Sequence, residues 1–363
     1  MSRILGLVLA GLLAIGVIVA VGVSLSGNLA PRSTTTVQGV IGSEKQSFFQ
    51  DAGVQAVFRR NGLTVKVDTA GSREMATSVD LSRYDFAFPA GVQTALKIKK
   101  DRKASTTYEP FSTPMAIATF RPIAQLLVAN HVASDAGGYY TFDMQAYLAL
   151  VARNARWTDL AGNTAYPAGK SVLVTSTDVR TSNSAAMYLS VASYVANGGN
   201  VVADDATARR IVPQVAPIFL RQGFTASSTD EPFQDYLSIG IGKTPLVMVY
   251  EAQFLALEAA HDRALTPDMV LMYPNPTVLS KHTLVPLKPA GDRVGSLLRS
   301  DRDLQRLAAR YGFHPSDPAV FTAYLKERGV PQPPQLVNVI EPPAFEQLET
   351  MINGIDQLTR GGG

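Results

Sequence analysis

An α/β protein built as two lobes is the fold class that this sequence predicts. Short apolar strands alternate with helical patterns along most of the chain, the signature of a parallel sheet with crossover helices. The length, 363 residues, suits two lobes at the usual ~100–200 residues each. Small and polar residues recur where a strand gives way to a helix. Such corners lie at the carboxyl edge of an open sheet, where ligands bind.

The elements follow in order. Residues 4–23 form an unbroken apolar run, which at ~1.5 Å rise per residue can cross a ~30 Å hydrocarbon core. Residues 1–27 are expected to be a transmembrane anchor, with a signal cleaved near Ser24-Leu25-Ser26 as the alternative. Arg3 and the amino terminus, set against Arg32 and Lys45, favour a cytoplasmic N-terminus and a body outside. Residues 28–36, polar and holding Pro31, read as a linker.

Residues 37–41 are an apolar strand, and Gly42-Ser43-Glu44 follows. A helical pattern then runs through Phe48, Phe49, Val54, Val57 and Phe58 until Asn61-Gly62 stops it. Residues 63–67 alternate as a second strand, Ala70-Gly71-Ser72 opens a short helix, and residues 84–88 are a third strand ended by Pro89. Gly91 begins a helix through Val92, Leu96 and Ile98. Residues 115–120 read as a strand, 123–128 and 142–151 as helices, and 171–175 as a strand. Helices are expected over 185–196 and 204–220, strands over 236–250, and a helix over 252–264. Two more strands, 269–273 and 283–287, precede a helix over 301–311 capped by Ser300. From residue 331 prolines extend the chain until a last helix over 345–358.

Composition removes several functions. The net charge of +3 and the absence of a long basic run give no case for nucleic acid; Lys97 to Lys103 reads as a solvated face. With no cysteine there is no disulfide, thiolate metal site, cysteine nucleophile or lipid-bearing cysteine. The histidines, His131, His261, His282 and His314, form no His-Glu-x-x-His, and no Gly-x-Ser-x-Gly is present. A spatially assembled triad would be sought first at His282. No metal and no cofactor are expected.

The candidate ligand site rests on four corners. Gly42-Ser43, Gly71-Ser72, Ala90-Gly91 and Thr181-Ser182-Asn183-Ser184 each lie between a predicted strand and a helix start. Small residues let a ligand approach the backbone, first-turn amides are unpaired within the helix, and the dipole is positive there. That chemistry suits an anion or carboxylate, although each corner singly is an ordinary helix cap. Arg73 and Arg180 flank two of the corners as guanidinium partners for an oxyanion, and Tyr250 ends a strand where it would line the same cleft.

Gly42-Ser43-Glu44-Lys45, Thr69-Ala70-Gly71-Ser72-Arg73-Glu74, Tyr84-Asp85-Phe86-Ala87-Phe88-Pro89 and Ser182-Asn183-Ser184-Ala185-Ala186-Met187-Tyr188 together resemble the type II extracellular solute-binding proteins. The likeness is nearest to a membrane-anchored actinobacterial branch and more distant to the phosphate-, sulfate- and molybdate-binding branch. It covers roughly residues 37–330. It implies the two-lobed periplasmic-binding-protein type II fold, two mixed sheets flanked by helices with a hinge between. Lobe 1 would be 37–115 plus 248–330, lobe 2 116–247, and 331–363 a proline-rich tail with a terminal helix. It further implies capture of a small polar or anionic solute for transport or sensing, without catalysis, with an ABC-type permease or an envelope component as partner. Two departures stand out. A membrane segment replaces the lipid-bearing cysteine, and the loop after Asp68 lacks a clear oxyanion fingerprint. The competing readings are a ligandless envelope assembly module and a hydrolase.

Overall fold

The structure, a computed structural model, describes residues 34–361 apart from 224, 332–334 and 337. The expected anchor (1–27) and most of the 28–36 linker lie outside the described residues. Among those described, no helix is long and apolar enough to cross a membrane.

Strand β1 (Thr35–Ile41) lies between β2 (Leu63–Thr69) and β3 (Phe86–Phe88) and runs parallel to both. Helices cover both faces, which is why these strands carry apolar residues on either side. Val37 and Ile41 pack with Phe48, Phe49 and Phe58 on one face, and Val40 packs with Met75, Ala95 and Ile98 on the other.

The long strand β4 (Tyr108–Phe120) follows, then the hairpin of β5 (Ala133–Asp135) and β6 (Tyr140–Asp143), and then β7 (Leu246–Tyr250), β8 (Met269–Asn275) and β9 (Thr277–Pro286). The short β10 (His314–Pro315) and β11 (Val339–Ile340) pair with β4 and β9. The first part of β4 is antiparallel to β9, and its last residues are antiparallel to β7 and β8. The resulting 11-stranded mixed sheet has the order β2-β1-β3-β9-β4-β8-β6-β5, one continuous ladder in place of the two sheets expected, because β4 and β9 pair along both of its parts. The ladder therefore passes from the β1 side to the β8 side through β9 and β4. The apolar side chains divide the same way. Phe48, Phe86, Leu284 and Phe313 belong to one cluster, whereas Ile117, Trp157, Tyr188, Val247 and Met272 belong to a larger one.

Several expected elements change. The helical pattern after β1 is broken at Asp51, which is extended and accepts the N–H groups of Gly53 (2.7 Å) and Val54 (3.1 Å), so that it caps a second helix, Ala52–Arg60. Residues 171–175 form isolated bridges at Ser171 and Thr175 instead of a strand; Val172 and Val174 satisfy their alternation by core burial alone. Phe142 belongs to β6, and the helix begins at Met144. The helix expected over 204–220 is two, Asp205–Val215 and Pro217–Leu220. The segment read as strand from 236 begins instead as the helix Asp230–Ser238; Phe233 and Tyr236, a helical turn apart, stack at 5.9 Å. Gly240, at φ +79°, ends that region before β7. Asp301, not Ser300, caps the Arg302–Arg310 helix, accepting from Asp303 N (3.0 Å) and Leu304 N (3.1 Å). Ser300 ends the preceding helix, Pro289–Ser300.

The C-terminal helix, Phe345–Gly361, spans both sets of elements. Leu348, Met351, Ile352 and Ile355 join the larger cluster. On the other side, its Glu349 pairs with Arg73, and the Phe345 ring lies 5.7 Å from the Arg73 guanidinium and 6.0 Å from Lys97 Nζ.

Candidate functional site

The corners meet. Gly42, Ser43, Gly71, Ser72, Ser182, Asn183 and Tyr250 line one cavity of about 270 Å³. Glu44, Thr69, Ala70, Glu74 and the run Ser227-Ser228-Thr229, which sequence reasoning did not single out, complete the lining.

Close packing explains the glycines. A Cβ on Gly71 would lie 2.5 Å from the Thr181 carbonyl oxygen, and one on Gly91 would lie 2.3 Å from Asn183 Oδ1. Arg73 N donates to that same Thr181 carbonyl at 3.3 Å, so the corner after β2 touches the corner before the Asn183–Ala196 helix. Ser72 Oγ accepts from Ala90 N at 3.0 Å, tying the second corner to the third. Asn183 Nδ2 donates to the Tyr250 hydroxyl (3.1 Å) and to Ser280 Oγ (3.4 Å), linking the fourth corner to β7 and β9.

The remaining expected site residues sit behind or beside the cavity. Ala90 is fully buried and Gly91 is covered by Asn183. Thr181 turns its carbonyl to Arg73, and Ser184 Oγ bonds Thr177 Oγ1 (2.8 Å) and Ser182 Oγ (2.9 Å). Neither expected guanidinium lines the cavity. Arg73, 5% exposed, donates through Nε to the Arg180 carbonyl (2.9 Å) and pairs with Glu349. Arg180 pairs with Asp178 and, at 3.3 Å, with Asp356 of the C-terminal helix. Both arginines join parts of the protein to one another.

Beneath the first corner lies a buried charged group. Lys45, wholly buried, pairs with Glu44 and reaches His282 Nδ1 at 3.1 Å. Burial pulls the Lys45 pKa down, against the opposing effect of the Glu44 charge. Burial first, and the Lys45 charge second, hold His282 well below its ordinary range, so its ring is neutral. With Nδ1 accepting from Lys45, the ring proton is assigned to Nε2, which has no partner among the described residues. The rings of Phe88, Phe111, Tyr250 and Phe313 surround His282. Asp230, at the start of its helix, is pushed above the usual carboxylate range by burial and by the Glu44 charge, with Ser43 and Gln253 opposing as donors.

Among the described residues, no lysine or arginine lines the cavity. Its donors are hydroxyls and first-turn N–H groups of the helices that start at Ser72, Asn183 and Asp230. Its acceptors include the Glu44 and Glu74 carboxylates, and the Asn183 carboxamide hydrogens are already given to Tyr250 and Ser280.

No protein-family profile matches the chain, and no curated protein matches it. Solved structures do. A periplasmic thiamin binding protein superposes with a TM-score of 0.58 at 10% identity, covering 90% of this chain and 96% of its own. The sulfate-binding protein of Mycobacterium tuberculosis H37Rv gives 0.52 at 16% identity, covering 89% and 98%. The apo ferric ion-binding protein A of Pasteurella haemolytica gives 0.50 at 10% identity, covering 90% and 96%. The chain has the type II periplasmic-binding-protein fold. In this fold the cavity sits at the carboxyl ends of β1 and β2, as an open α/β sheet places a ligand.

Proposed function

We propose that the protein is an extracytoplasmic solute-binding protein that holds a small polar or anionic ligand between two lobes, for transport or sensing. The observation that carries this reading is the meeting of corners from both apolar clusters around one hydroxyl-rich cavity. The lobes of this reading are residues 37–115 with 248–330, and 116–247, except that Met269 to Tyr273 of β8 pack with the second lobe, so that β4 and β9 pass between the two. Backbone amides and hydroxyls are the ligand's donors, without a cationic side chain at its surface. The solved relatives, proteins that bind sulfate, thiamin or ferric ion, support binding over catalysis. The apolar run at residues 4–23 supports a body held at the outer membrane face, where a permease or envelope partner would meet it.

Thermal-shift screening of the full-length protein against sulfate, molybdate, thiamin, ferric ion, amino acids and sugar phosphates tests this. One class is expected to stabilise by about 2.7 kcal/mol at 100 times its dissociation constant. Ser72→Ala with Ser182→Ala is expected to remove that shift. Full affinity in the double variant would remove the cavity from the account, and no stabilisation by any solute class would remove ligand binding itself.

A further inference from the structure

A second cavity, of about 610 Å³, lies apart from the first, and no residue lines both. It sits over β8, between the β5–β6 hairpin and the Glu251–Ala260 helix. Its walls are largely aromatic and aliphatic. Tyr139 and Tyr273 meet edge to face, with ring centroids 6.1 Å apart and planes at 84°, and Phe254 stands beside them in the lining. The Tyr273 hydroxyl is turned to Glu251 Oε1 at 2.7 Å, so its polar end is already satisfied by the protein.

Glu258 lies in the same wall, and among the described residues it has neither a hydrogen-bond partner for its carboxylate nor a cation within ion-pair distance. Burial is the main influence on it and pushes its pKa upward, with only the His261 charge opposing. Asp135, whose Oδ1 accepts from Gly137 N at 2.9 Å, adds a second carboxylate. Arg121 is the one cation of the lining; it is exposed and donates to the Pro267 carbonyl oxygen at 3.3 Å. A half-buried carboxylate without an ion-pair partner, in the same lining as perpendicular aromatic rings, suits a positive charge on an apolar body. Ring faces attract such a charge within ~6 Å of their centroids, most strongly when it is desolvated.

We propose that this cavity is a binding site for a small organic cation, whose ammonium head sits against Glu258 and the rings of Tyr139 and Tyr273 and whose apolar body lies on Phe254. The site does not depend on the ligand of the first cavity.

Calorimetric titration of the full-length protein with choline and with its neutral tert-butyl isostere tests the proposal. Choline is expected to saturate one site, with the isostere bound about tenfold more weakly or worse. Glu258→Gln and Tyr139→Leu are each expected to weaken choline by a similar factor, and Ser182→Ala to leave it unchanged. Equal affinity for the isostere would overturn the proposal, as would the absence of saturable choline binding. Loss of choline binding in Ser182→Ala would reassign it to the first cavity and overturn the second site. The isostere comparison uses the unaltered protein, so it decides the matter even if a variant fails to fold.

Discussion

At the scale of single residues, the buried lysine beneath the first corner makes the sharpest demand. Lys45→Met leaves the Glu44 carboxylate, 7% exposed, without its cation. The expected destabilisation is about 3–5 kcal/mol, because an uncompensated buried charge remains. Adding Glu44→Gln removes that charge and is expected to restore much of the loss, both read from urea unfolding midpoints. A double variant no more stable than Lys45→Met would show that the pair is not coupled. A second prediction concerns acid. Burial alone would raise Asp178, but the Arg180 guanidinium and backbone N–H outweigh it, and its carboxyl stays below the ordinary range. Its folded pKa lies below its unfolded one, so its stabilisation is present above ~4 and is lost as pH falls through the lowered value. Arg180→Gln is expected to flatten that acid limb in a plot of Tm against pH; an unaltered limb would assign the acid lability elsewhere. Some of these roles were legible in the sequence and others were not. Ser72, Ser182 and Asn183 showed themselves as small polar residues at a strand-to-helix corner. Arg73 and Arg180 stood at the right corners, yet their partners, Glu349 and Asp356, lie in a distant segment that no local pattern connects to them. Ser227-Ser228-Thr229 was missed because residues 230–235 were assigned no element and 236–238 were read as strand, so no helix start was expected after the run.

At the scale of elements, the Phe345–Gly361 helix is the one whose role extends beyond its own packing. Its apolar residues lie in the larger cluster, and its acidic residues reach Arg73 and Arg180, next to the Ser72 and Ser182 corners. Glu349→Gln with Asp356→Asn keeps the packing and removes the ion pairs to Arg73 and Arg180, along with the local Asp356–Arg360 pair of the same helix. Exposed pairs contribute only about 0–1 kcal/mol and partly buried ones more, so Tm is expected to fall modestly. Ligand dissociation, followed by stopped flow, is expected to quicken, since the two corners are then held by fewer contacts. An unchanged off-rate together with a lowered Tm would make the helix a packing element only. The apolar run of β1 read easily as a strand, whereas β7 was begun at 236, inside the preceding helix. The 171–175 stretch misled because alternation reports burial, whereas a strand also requires a partner along its whole length.

At the scale of the whole molecule, alternation along the chain was enough to predict an α/β fold, and the order of the corners was enough to suggest its type. Sequence order could not supply the convergence of those corners. It arises because β4 and β9 run through both parts of the sheet and β9 returns the chain to β3. The same threading explains why residues far apart in sequence, such as Gly71 and Thr181, come to share a contact. Nor did hydropathy alone mark the second cavity. Tyr139, Glu258 and Tyr273 come from a hairpin, a helix and a strand that only the sheet brings together.

The reach of Arg73 to Glu349 sets an order on biosynthesis. A ribosome has made nearly all of the described chain before the partner of that guanidinium exists. Until then an emerging polypeptide lacks both the Phe345 ring that lies over the Arg73 guanidinium and its counter-charge. Newly made protein is therefore expected to gain protease resistance around these corners late, once the C-terminal helix has docked.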